Sequence, residues 1–101
     1  MQIITAEELK ARMDAGEQLH LVDVREPDEH AVFNIGGILL PVGRVQNMQV
    51  DEIEELKEKE VICYCRSGKR SAQACLVLDT LGFTDTRNLE GGMLGWQEKY
   101  H

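Results

Sequence analysis

Two prolines, five aromatic side chains and three cysteines are all that this 101-residue chain holds of the residue types that most often brace a small fold. The cysteines, Cys63, Cys65 and Cys75, are odd in number and two stand one residue apart, a pattern that makes no disulfide framework. No second Cys or His cluster lies at zinc-finger spacing, so no structural metal is expected. Long hydrophobic runs are missing too. The longest uncharged stretch, 31–43, is broken by Asn34, Gly36, Gly37 and Pro41 and is far too short to span a bilayer. No basic-then-apolar leader follows Met1. Free thiols without a leader fit a reducing cytoplasm, and no membrane partner is expected. Positive charge is scarce: eleven Lys and Arg against eighteen Asp and Glu give a net charge of -7. Such a surface repels phosphate backbones and excludes a general nucleic-acid partner.

What is present is the composition of one soluble domain over residues 1–101, with 43% hydrophobic and 29% charged residues; two independent cores would not fit. Ile3 and Ile4 open a short strand. Thr5 reads as an N-cap with Glu8 three residues on, the capping box of a helix over residues 6–15 that stops at Gly16. A β-rich run follows at 19–24, and Pro27 suits the first turn of a short helix over 28–31. The apolar run 38–42 contains Pro41, which removes a ladder donor and confines the run to a strand end or an edge. In 50–58, Val50, Ile53 and Leu56 make one narrow helical stripe, and the many acids read as solvated surface.

Residues 61–64 form a compact apolar strand, and 71–81 form a helix that is apolar nearly all round and so expected to be mostly buried. Gly82 follows as its terminator, with Phe83 placed to make the accompanying apolar contact. A last strand spans 86–89. Gly91 and Gly92 then open a final turn or helix that carries Leu94 and Trp96. Strands alternating with helices predict an α/β fold, a central and mainly parallel sheet flanked by helices. In such sheets ligands bind beyond the carboxyl ends of the strands.

The chemistry concentrates in 61–78, VICYCRSGKRSAQACLVL. A buried strand ends at Tyr64, a polar loop of Cys65, Arg66, Ser67, Gly68, Lys69 and Arg70 follows, and a helix begins at once. A strand–loop–helix unit turns backbone N–H groups and the positive end of a helix dipole into one concavity. Gly68 allows the positive φ that closes such a loop. Ser67 and Ser71 add hydroxyls, and Ser71 reads as the helix N-cap. Arg66, Lys69 and Arg70 form a local positive cluster in an acidic protein, suited to a small anion and not to a wide polyanion groove. Cys65 stands at the mouth. Helix N-termini and nearby cations favour thiolate over thiol, and loop amides can hold the anion that forms when it attacks.

On these residues the chain resembles the rhodanese-like sulfurtransferases. CRSGKRS after an apolar strand is similar to that family's active-site loop. Leu21-Val22-Asp23-Val24-Arg25-Glu26 is similar to its early motif, with Glu29 at the next acidic position, and Leu89-Glu90-Gly91-Gly92 with Trp96 is similar to its late segment. The likeness covers nearly the whole chain and implies a small rhodanese-like domain. It implies that Cys65 is the nucleophile and becomes a persulfide. Arg66, Ser67, Gly68, Lys69, Arg70 and Ser71 would then cradle the persulfide and a small anionic sulfur donor. An arginine directly after the cysteine resembles the thiosulfate type, where members acting on mercaptopyruvate usually carry glycine. The implied acceptor is cyanide in vitro or a thiol or protein thiol in the cell, and no cofactor is implied. One segment departs from the family pattern: Phe33-Asn34-Ile35-Gly36-Gly37-Ile38 stands where a Gly-His-Ile-Pro-Gly-Ala-like stretch is usual.

Other readings stay open. A persulfide carrier shares the first half-reaction, and a regulatory protein-binding module needs no reaction at all. A cysteine-dependent phosphatase or arsenate reductase needs an arginine six positions after the cysteine. Here that position is Ser71, and Arg70 is one residue too early. Asp23 and Arg25 either support the loop or form a structural pair at a strand end, the simpler reading. Cys63 and Cys75 read as core cysteines, because a disulfide between Cys63 and Cys65 would be badly strained. His20, His30 and His101 carry no motif of a general base. Trp96 reads as a core or lid aromatic.

Overall fold

Short strands, each followed by a helix, make one sheet, and the inner strands β2 and β4 are buried nearly throughout, so both faces of the sheet are covered. A computed structural model describes residues 1–100. Its strands are β1 (Gln2–Ile4), β2 (Leu21–Asp23), β3 (Ile38–Leu39), β4 (Glu60–Tyr64) and β5 (Asp85–Leu89). They pair in the order β1-β5-β4-β2-β3, every neighbour parallel. The helices are α1 (Ala6–Asp14), α2 (Pro27–Val32), α3 (Val42–Gln46), α4 (Lys69–Thr80) and α5 (Gly92–Lys99), with a 3-10 helix over Asp51–Leu56. No helix among the described residues is long and apolar enough to cross a membrane.

Strand β4 lies at the centre and sends alternate side chains to two cores. Val61 and Cys63 pack with Ile53, Leu56, Ala74, Cys75, Leu78 and Phe83 on one face. Ile62 and Tyr64 pack with Ile4, Leu9, Met93 and Trp96 on the other. Such two-sided burial is what a parallel sheet requires. Pro41 falls just past β3, a two-residue strand at the sheet edge, in keeping with the donor it lacks.

Local signals set the ends of the elements. Thr5 and Glu8 form the expected capping box, the Glu8 amide donating to Thr5 Oγ1 at 3.1 Å and the Thr5 amide to Glu8 Oε1 at 3.2 Å. At the far end of α4, Gly82 has φ 99°, its amide donates to the Asp79 carbonyl, and the Phe83 amide reaches the Leu78 carbonyl. This pair of bonds stops the helix and folds the Phe83 ring into the core.

Three expectations are corrected. Helix α4 starts at Lys69 with Gly68 as its N-cap, not at Ser71. Gly68 takes φ 103°, which begins the helix early, and the Ser71 hydroxyl is used elsewhere. The same helix is not buried all round: Ser71, Ala74, Cys75 and Leu78 face the sheet, while Leu76 is 56% exposed. The acidic stretch after Val50 winds as a 3-10 helix, whose three-residue turn keeps Ile53 and Leu56 on one side. Helix α3 was not foreseen, since Gly43 and two valines are weak helix formers.

Candidate active site

The strand order reverses between β2 and β4: β3 lies beyond β2 on one side, and β5 and β1 lie beyond β4 on the other. In parallel sheets this is where a crevice opens at the carboxyl ends. Cys65 directly follows β4 there, and Asp23 ends β2 beside it, paired in register with Tyr64.

Helix α5 shapes the Cys65 loop from outside. The amides of Met93 and Leu94, in the first turn of α5, donate to the carbonyls of Cys65 (2.8 Å) and Arg66 (2.9 Å). First-turn amides have no partner within their own helix, so the loop satisfies them. Those two carbonyls are thereby turned away, and loop amides are left to face the sulfur. Gly92 makes the approach feasible: a Cβ there would lie 2.5 Å from both carbonyl oxygens. Gly68 closes the loop at φ 103°, and its amide donates to Cys65 Sγ at 3.1 Å. Ser71 Oγ lies 3.3 Å from the same sulfur.

Cys65 itself is buried. Burial is the largest single influence on the thiol and pushes it up. The Ser71 hydroxyl and the amides of Ser71, Gly68 and Ser67 together outweigh it, holding the thiol below its ordinary value. The positive end of α4 acts in the same direction. Cys63, on the same face, is also buried, and the neighbouring Cys75 thiol, then burial, pushes it well up.

Cations divide sharply. Eight of the eleven Lys and Arg residues form ion pairs with Asp or Glu. Among the described residues only Lys59, Arg66 and Lys69 have no such partner, and the last two stand after Cys65, one in the loop and one at the start of α4. Both are exposed, as is Ser67. Arg66 also lines a cleft of about 280 Å³ with Arg25, Glu29, Phe33, Met93 and Leu94.

Arg70 sits differently. Its guanidinium grips Glu29 through two bonds, of 2.9 and 3.1 Å, and so ties the start of α4 to α2. A phosphatase-like clamp from this position would need that guanidinium over the loop. The Arg70 bonds are the largest cause holding the Glu29 carboxyl down, to about 2. A carboxyl depressed on folding contributes stability in full above its ordinary 4.5 and loses it as pH falls through about 2. Both side chains are partly exposed, so solvent screening reduces the effect. Glu29→Gln is expected to cost about 1 kcal/mol near neutrality and almost nothing at about pH 2, as urea unfolding at the two pH values would read.

Asp23 and Arg25 form a buried pair, with Arg25 Nε at 2.9 Å from Oδ1 and Nη2 at 2.8 Å from Oδ2. The Arg25 amide and His30 Nδ1 also donate to this carboxylate, and Arg25 reaches the Phe33 carbonyl at 2.5 Å. Burial, the largest influence on Asp23, pushes it up, but these donors prevail and hold it below the usual carboxylate range. The departing segment gets its turn from the same corner: the Gly37 amide donates to Tyr64 Oη at 3.2 Å, and a Cβ at Gly37 would lie 2.7 Å from the ring.

Of the residues singled out in the sequence, Cys65, Gly68 and Ser71 meet at the sulfur, while Arg66, Ser67 and Lys69 are exposed. Arg70 turns to Glu29, and Arg25 reaches the cleft wall. His101 lies outside the described residues. Asn88 was missed. Its Nδ2 donates to the Gly68 carbonyl at 3.0 Å, and its Oδ1 lies 2.5 Å from Ser71 Oγ. No local signal marks an asparagine in a strand for this. Only the parallel register of β4 and β5, which sets Cys63 opposite Asn88, brings it to the loop.

The sequence pattern described as the rhodanese-like domain matches residues 5–99. A sulfurtransferase of Allochromatium vinosum is 39% identical over 94 residues, covering 92% of this chain and 85% of its own. The probable adenylyltransferase/sulfurtransferase MoeZ of Mycobacterium tuberculosis is 32% identical over 96 residues, 95% of this chain but only 24% of that protein. The chain thus spans about a quarter of that relative's length. Among solved structures, the human single-domain sulfurtransferase TSTD1 superposes with a TM-score of 0.84 at 28% identity, over 100% of this chain and 99% of that one.

Proposed function

Because the chain belongs to the rhodanese-like domain family, we propose that it is a sulfurtransferase that takes a sulfane sulfur from thiosulfate onto Cys65 and passes it to a thiol. The observation that carries this reading is the setting of one sulfur. Cys65 Sγ accepts from the Gly68 amide and lies by the Ser71 hydroxyl, and Arg66 and Lys69, close to it in the chain, are exposed and have no carboxylate partner among the described residues. In a chain of net charge -7, cations left unpaired at a loop of amides suit a small dianion.

The Cys65 thiolate attacks the outer sulfur of thiosulfate. A new S–S bond forms, the donor's S–S bond breaks, and its electron pair leaves with sulfite. The persulfide carries one negative charge on its outer sulfur, where loop amides and the dipole of α4 act. An acceptor thiolate, or cyanide in vitro, then attacks that outer sulfur and restores the Cys65 thiolate. The cleft lined by Arg66, Met93 and Leu94 is the room beside the loop for the acceptor. No cofactor enters either step.

Intact mass after incubation with thiosulfate tests the reading. The wild type is expected to gain one sulfur and to lose it on adding cyanide, with thiocyanate released. No gain would set thiosulfate aside. The cations supply a second check. Arg66→Ala and Lys69→Ala are each expected to raise KM for thiosulfate roughly five-fold with kcat little changed, because each removes one exposed charge from the binding step. Steady-state thiocyanate formation separates the two constants. The effect should shrink as salt is added.

A further inference from the structure

We propose that Asn88 is a positioning residue that competes with Cys65 for the single proton of the Ser71 hydroxyl, and so opposes the empty thiolate relative to the persulfide. The proposal rests on the reading of Cys65 as the sulfur-accepting nucleophile. Its basis is a count of donors and acceptors. The orientation of the Asn88 amide is fixed, because one end faces the Gly68 carbonyl at 3.0 Å and only an N–H can face a carbonyl. The other end, 2.5 Å from Ser71 Oγ, is therefore oxygen, an acceptor. Ser71 Oγ is also 3.3 Å from Cys65 Sγ. Asn88 and Ser71 are both buried, so water does not make up a missing partner.

A serine hydroxyl has one proton to donate. While Cys65 is a thiol, every group is satisfied in one direction. The S–H donates to Ser71 Oγ, the Ser71 O–H to Asn88 Oδ1, and Asn88 Nδ2 to the Gly68 carbonyl. Once the thiol proton is lost to solvent, two acceptors want the same hydroxyl proton. If it turns to sulfur, Asn88 Oδ1 is left buried without a donor. If it stays on Asn88, the thiolate is held by amides alone. Leaving a buried acceptor unpaired is costly. When the thiolate has taken up a sulfur, the conflict ends: the charge moves to the outer sulfur, the inner one becomes a neutral and weak acceptor, and the Ser71 proton returns to Asn88. The loop is then satisfied again.

The test is the titration of Cys65, followed by thiolate ultraviolet absorbance as the difference between each protein and its Cys65→Ser counterpart. Asn88→Ala is expected to lower the midpoint by about one pH unit, since Ser71 is then free to serve the sulfur. Against a Ser71→Ala background the same substitution should move nothing, because its route to the sulfur is gone. An Asn88→Ala midpoint that is unchanged or raised overturns the proposal. So does an equal shift in both backgrounds, which would mean that Asn88 acts by merely holding the loop. Should Asn88→Ala not fold, Asn88→Ser, too short to bridge Gly68 and Ser71, is read by the same criteria. No sulfur transfer enters this measurement. Failure of the sulfurtransferase reading would appear separately, as wild-type protein that takes up no sulfur.

Discussion

Replacing Cys65 by serine is expected to abolish sulfur uptake from thiosulfate, at least ~10⁴-fold, with the fold retained. A hydroxyl is a far weaker nucleophile than a thiolate, and among the described residues the partners of this atom, the Ser71 hydroxyl and backbone amides, include no base. The loop that lowers the thiol does so with donors alone, the Ser71 hydroxyl and three amides. Donors stabilise an anion once it exists but take no proton from an alcohol. The other two thiols are set differently. Cys63 and Cys75 pack in the core between the sheet and α4, Cys75 pushes the Cys63 thiol well up together with burial, and Cys75 Sγ donates to the Arg87 carbonyl. Stability should change by less than about 1 kcal/mol, because the serine oxygen can accept from the Gly68 amide where the sulfur did. Intact mass with and without thiosulfate, beside a thermal melt, reads both halves. Undiminished sulfur uptake in the variant would place the nucleophile elsewhere. An unfolded variant would show that the sulfur is needed for packing.

The sequence carries this much of the site because its signals are local. The apolar strand before Cys65, Gly68 within the loop and the helix after it lie within twenty residues, and each acts on its own neighbours. The capping box at Thr5 and the stop at Gly82 are legible for the same reason. What escaped depends on contacts far apart in the chain. Arg70 reads as one of three loop cations until the structure brings Glu29, 41 residues away, against it. Ser71 reads as a cap, because serine before a helix usually is one. In the structure its hydroxyl lies between the sulfur and Asn88, 17 residues on in the next strand. The helix after β4 reads as mostly buried because hydropathy does not say that only one side meets a sheet. Leu76 was free to face solvent.

Substituting Gly92 by alanine is expected to lower turnover about 10²-fold and to destabilise the protein by about 3 kcal/mol or more. Two costs coincide there. The residue takes φ 55°, a left-handed conformation that a side chain disfavours. Its new methyl would also lie 2.5 Å from the carbonyl oxygens of Cys65 and Arg66, which are backbone atoms with no rotamer to move to. Those carbonyls accept from the Met93 and Leu94 amides, the two bonds that hold the loop with its own amides turned toward the sulfur. Relief of the clash therefore pushes α5 and the loop apart, and the donors at Cys65 Sγ move with it. Displacements of about 1 Å in groups that position a reaction cost turnover of this order. Gly95, three residues along the same helix, is the control. A Cβ there meets nothing within 4 Å, and alanine in a helix interior is favoured over glycine, so Gly95→Ala should leave turnover unchanged and stability equal or slightly higher. Denaturant midpoints and thiocyanate formation for both variants decide the matter. If Gly92→Ala behaves like Gly95→Ala, the first turn of α5 does not set the loop. If it unfolds while Gly95→Ala does not, the contact is as tight as the carbonyl distances require, and turnover can then be read from Gly92→Ser at low temperature.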